Sequence, residues 1–197
     1  MCWSAPVSLN TFVISTLALG LAYFNNIVPL RHIPLFMSFF VVQLLEYFLW
    51  IDLHTMTYNM YITLAIGIAL VLQPLLSILT LDMNTSLFRS LMILYAIYVV
   101  LVMVFVGTHP QLFSVAGPNG HFQWSFLNQP HLLVISLYMI CLLVPVFYTM
   151  PMWINVIIWA TLFMSIYYYG VSKEWGTMWC WSANFIALGL LFITLRR

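Results

Sequence analysis

The sequence predicts an all-α, polytopic transmembrane helical bundle of seven spans, and three observations lead there. Of 197 residues, 64% are hydrophobic and only 5% are charged. Mean hydropathy is +1.06, well outside the range of a domain that keeps a polar surface in water. The apolar residues also gather into seven runs near the length of about 20 residues that a helix needs to cross a bilayer.

In chain order the runs cover roughly 7–24, 34–53, 59–81, 88–107, 130–148, 152–169 and 177–195, separated by polar, Pro or Gly punctuation. Most connections are short. The exception is the segment 108–129, in which Gly117, Pro118, Asn119 and Gly120 read as a turn between two short extended runs, compatible with a small hairpin capping one face. The chain 1–197 is therefore expected to be a single integral membrane domain whose partner is the lipid bilayer. Arg31 is the first basic residue, so the charged head of a cleavable signal is missing and the first run is expected to persist as a helix. Seven spans place Arg31, Arg89, Arg196 and Arg197 on one side and Lys173 on the other. Basic residues are retained on the cytoplasmic side of short loops, which predicts the N-terminus outside and the C-terminus inside. A six-span arrangement is the rival and would reverse that assignment.

Net charge is +1 and the five basic residues form no cluster, which excludes nucleic acid as a partner because phosphate binding needs a basic footprint. Glu46 is the sharpest single residue, since an ionised side chain inside a span costs several kcal/mol unless paired or hydrated. Gln43 and Trp50 share its helical face. The expectation is a ligand or ion pocket formed by Glu46, Gln43, Asn155 and Asn184; the alternative is a neutral Glu46 tied structurally to Asn155 or Asn184. His54, His109, His121 and His131 all fall at the predicted outer side. Imidazole and thiolate are the usual ligands of transition metals, so Cys2, Cys180, His121 and His131 are candidate metal ligands if the 108–129 loop folds over the helix ends. For the two cysteines an outer-face disulfide or simple packing among helices competes with the metal site. Lys173 and Glu174 read as a solvated pair in an exposed loop.

The tetrapeptide Cys-Trp-Ser-Ala occurs at 2–5 and again at 180–183, at the predicted outer ends of the first and last spans. No longer period connects the copies, so an internal duplication is not indicated. The opening Met1-Cys2-Trp3-Ser4-Ala5, the phrase QLLEYFLW at 43–50, QPH at 129–131 and MWCWSA at 178–183 together resemble a family of small multi-pass membrane proteins of bacteria and viruses. Its members begin Met-Cys-Phe-Ser-Ala and carry a Trp-Cys near the last helix; Trp3 departs from that pattern. The resemblance implies a multi-span fold and no particular reaction.

Three functions follow from these residues. The first is an outward-facing polar pocket around Glu46 that binds or moves a small polar solute, a proton or a metal ion. The second is a membrane-embedded enzyme using a transition metal held by Cys, His and Glu. The third is a structural or assembly protein whose polar residues serve helix packing.

Overall fold

The computed structural model describes residues 4–108, 112–127, 132–179 and 182–196. Among them are seven helices long and apolar enough to cross a membrane, which makes the chain a multi-pass membrane protein. They are α1 (Ala5–Phe24), α2 (Ile33–Asp52), α3 (Asn59–Ile78), α4 (Ser86–Thr108), α5 (Leu132–Thr149), α6 (Met152–Tyr169) and a last span that joins the short α7 (Trp175–Trp179) to α8 (Ser182–Leu195). Between α4 and α5 lies an antiparallel hairpin of β1 (Ser114–Ala116) and β2 (Phe122–Trp124), with Val115 opposite Gln123.

Local chemistry sets the helix boundaries. α1 and α2 each begin with a proline in the first turn, where its missing N–H would have no partner anyway. α1 ends where the Asn25 side-chain amide donates to the Leu21 carbonyl at 2.8 Å and Asn26 adopts a left-handed φ of 55°. α2 ends at Asp52, whose carboxylate accepts from the Thr55 hydroxyl at 2.7 Å and from the Thr57 and Tyr58 amides at 3.1 and 3.0 Å. Thr85 starts α4 by accepting the Phe88 amide at 3.1 Å. Pro74 lies inside α3 and Pro145 inside α5, and each frees a carbonyl one turn earlier. Near the second break the Ser77 hydroxyl crosses from α3 to donate to the Leu142 carbonyl at 2.6 Å.

α1 packs along α2 and α8, α2 along α3, and α3 and α4 along α5, while α6 closes the bundle against α7 and α8. The largest buried cluster joins α1, α2, α5, α6 and α8 around Phe36, Phe40, Leu142, Ile154 and Leu190. A second, beneath the hairpin, gathers Val42, Leu49, Ile66, Phe122 and Trp124. The helices alternate in direction, so the starts of α1, α3 and α5 share the hairpin end of the bundle with the finishes of α2, α4 and α6.

Candidate functional site

The hairpin is strapped down from two sides. On one side the Asn59 amide donates to the Ser114 carbonyl at 2.9 Å, the Ser114 amide donates to Asn59 Oδ1 at 2.8 Å, and the Thr63 and Ser114 hydroxyls are 2.8 Å apart. On the other, Glu174 accepts from the Asn119 backbone amide at 3.1 Å, the Asn119 side chain at 2.7 Å and the Ser172 hydroxyl at 2.9 Å. The Thr177 hydroxyl donates to the Phe122 carbonyl at 2.7 Å, and Gln123 donates to the Ser172 carbonyl at 2.6 Å. Gly117 permits the approach, because a Cβ there would collide with the Glu174 carboxylate. Glu174 is therefore a buried latch rather than the solvated loop residue expected from its neighbour Lys173; the turn at Asn119 supplies the donors that replace water.

Under the hairpin, Phe39, Gln43, Glu46 and Trp50 share one face of α2, following the i, i+3, i+4 spacing. Phe39 meets Trp179 edge-on at 6.3 Å and Trp50 packs on Phe122 at 4.4 Å. Glu46 lies between these two contacts, fully buried, and accepts from the Gln43 amide at 3.2 Å. The expected four-residue pocket does not assemble around it. The Asn155 amide instead donates to the Met150 and Pro151 carbonyls at 3.2 and 3.5 Å, holding the start of its own helix. α2 and α6 both begin at the end opposite the hairpin, and Glu46 is ten residues further along its helix than Asn155 along its own. At 1.5 Å per residue they differ in depth by about 15 Å. Asn184 is half-buried on α8.

Of the candidate metal ligands, Cys2, Cys180 and His131 lie outside the described residues. His121 is buried beside β2 with its ring edge-on to Tyr169 at 5.3 Å. Burial lowers its pKa from 6.5, against an opposing pull from the Glu174 charge. Among the described residues no group of three or more His, Cys, Asp or Glu side chains is placed to hold a metal ion.

The open volume lies beside the Glu46 face. A cavity of about 390 Å³ is enclosed by α3, α4, α5, Phe39, the hairpin and α7, within the usual size of small-molecule sites. Glu46 is not among the residues lining it, and among the described residues no charged side chain is. Its walls are apolar and aromatic: Trp124 stacks on Phe126 at 5.7 Å, and Tyr98 lies 6.1 Å from Tyr138. At one point of the wall the Tyr138 hydroxyl donates to Gln73 Oε1 at 2.6 Å, and Gln73 donates to the Ser38 carbonyl at 3.4 Å. Gly67 leaves room on α3, where a Cβ would meet only Phe126 at 3.9 Å. Leu64, Ile68 and Met103 belong both to the lining and to the exposed surface of α3 and α4, Met103 being 71% exposed. The cavity thus opens sideways, toward lipid. Gln73 carries the one sequence signal of this site, an uncharged polar residue in the middle of a span. The apolar walls carry none, since they look like every other helix face in the chain.

The chain matches no protein-family model, no curated protein and no solved structure.

Proposed function

We propose that this protein binds a small, uncharged, lipid-soluble molecule taken laterally from the bilayer into the cavity between α3, α4 and α5. The observation that supports this reading best is the cavity itself: its size, a lining that is uncharged among the described residues and its opening between exposed apolar residues of two spans. The volume favours an apolar guest over the polar solute that the sequence suggests. The positions of Arg31, Arg89 and Arg196 at one end and Lys173 at the other support a hairpin end facing away from the cytoplasm. The test is extraction and mass spectrometry of lipophiles from protein purified in mild detergent, beside Gly67→Leu, which fills the cavity. A near-stoichiometric uncharged lipophile on the wild type, lost in the variant, is expected. Equal retention by both proteins would remove the cavity from consideration.

A second reading is favoured by the complete burial of Glu46 in a span: a proton or cation site made with Gln43. Intramembrane carboxyls are expensive and commonly mark such sites. Glu46→Gln in proteoliposomes is expected to remove pH-driven uptake of protons or a monovalent cation; uptake unchanged by the substitution would leave Glu46 a packing residue.

A further inference from the structure

The mouth of the cavity is a slot rather than a hole. Leu64, Ile68 and Leu72 all line the cavity and are all exposed, at 42, 53 and 43%. They stand at i, i+4 and i+8 on α3, in a single stripe along the helix. At 1.5 Å per residue that stripe is about 12 Å long. Met103 flanks it from α4, where Val99, Val102 and Val106 continue the lining over about 10 Å. Depth places the slot in the hydrocarbon. α3 starts at the hairpin end, and its 20 residues make a helix of about 30 Å, the thickness of the bilayer's apolar core. Leu64 and Leu72 lie about 7 and 20 Å from that start, so the slot runs from the hairpin-side leaflet to past the bilayer's middle.

An apolar void stays dry, and while it is empty its lining forfeits dispersion contacts. Lipid tails are as apolar as the side chains around them, so a tail that enters gains contacts and gives up nothing polar. The tails of the hairpin-side leaflet already run parallel to the slot and lie against it along its length. Going beyond the lipophile reading above, we infer that the slot between α3 and α4 is a binding site for one acyl chain of a phospholipid from that leaflet. The chain lies along Leu64, Ile68 and Leu72, its methyl end toward Gln73, the deepest lining residue of α3. Gly67 gives it room, because a Cβ there would meet only Phe126 at 3.9 Å. A lipophile drawn from the bilayer enters by displacing this chain.

The test places the protein in nanodiscs containing phosphatidylcholine with a diazirine midway along one acyl chain, and maps the insertion sites by peptide mass spectrometry after irradiation. Insertion is expected at Val71 and Tyr138, half-buried residues of the lining, as well as at the outward-facing Val100 and Val104 of α4. In Gly67→Leu the label on the lining, relative to that on Val100 and Val104, should fall about fivefold, the change that ~1 kcal/mol of crowding produces. Label confined to the outward residues of the wild type would overturn the chain inference, while extraction of a lipophile, as above, still decides the cavity reading by itself. Label on the lining that is undiminished in Gly67→Leu would overturn this slot as the place of the chain. A diazirine sterol that labels Val71 and Tyr138 where the phosphatidylcholine does not would assign the slot to a rigid ring system and overturn the chain. If Gly67→Leu does not fold, the wild-type pattern decides alone.

Discussion

Along α1 the side chains buried against the bundle are Ser8, Thr11, Ser15, Ala18, Leu19 and Ala22, whereas the longer α4 buries only Leu91 and Tyr98. Both helices are thoroughly apolar, so hydrophobicity does not separate them. Size does. In lipid the tails are as apolar as the side chains, and helices associate where small residues let their backbones approach. The small-residue row of α1 brings it close to α2 and α8, while α4 meets α3 through larger side chains, the Tyr95 hydroxyl donating to the Val71 carbonyl at 3.3 Å. The cavity is the space left on that second flank, and Gly67 widens it from the α3 side. One flank is close-packed and the other leaves open space.

The largest expected effect comes from cutting the strap that joins the two flanks across the hairpin end. Glu174→Ala leaves the Asn119 backbone and side-chain amides without their acceptor, while the Ser172 hydroxyl keeps the Tyr169 carbonyl, and thermal denaturation in detergent should show a loss of about 3 kcal/mol, since two buried donors are left unsatisfied at about 1–3 kcal/mol each. Next comes bulk on the tight flank: Ser15 is fully buried, and Ser15→Leu should cost about 1–3 kcal/mol by overpacking, read as a lower melting temperature. The same enlargement on the loose flank, Gly67→Leu, should cost less than about 1 kcal/mol because a side chain there enters open space. Equal losses from the two leucines would break the comparison between the flanks. The smallest effect is the pH response of His121. Its folded pKa lies below 6.5, so as pH falls past 6.5 the unfolded chain takes up the proton first. Stability should hold steady above pH 6.5 and decline below it, and His121→Gln should flatten that slope.

The helices were legible because crossing a bilayer imposes a length on an apolar run, and α6 occupies the 152–169 run residue for residue. Boundaries shifted where side chains intervened. The third run is apolar to residue 81, yet α3 stops at Ile78 because the Thr80 hydroxyl turns back onto the Ser77 carbonyl at 2.7 Å. Glu46 stood out in the sequence as a carboxyl within a span. Its separation from Asn155 did not, because depth depends on helix direction and offset. Glu174 was misjudged for a different reason: the group that buries it comes from a loop 55 residues earlier, and no local pattern contains it. The cavity was signalled by Gln73 alone, its apolar walls being indistinguishable in sequence from the other helix faces.

The two straps of the hairpin are symmetric along the chain: Ser114 is 55 residues after Asn59, and Glu174 is 55 residues after Asn119. During synthesis the first strap can close as soon as the hairpin emerges, with α3 already in place. The second must wait for the whole of α5 and α6 and the turn that follows them. Long-range contacts of this kind form late, so the nascent protein passes through a stage with five or six spans inserted and its hairpin tethered at one edge only. The residues of α7 that line the cavity, Trp175, Gly176 and Trp179, are thus the last to arrive at it. A chain truncated after Tyr169 should be cut faster within the Gly117–Gly120 turn by limited proteolysis than the full chain, in which Glu174 holds Asn119.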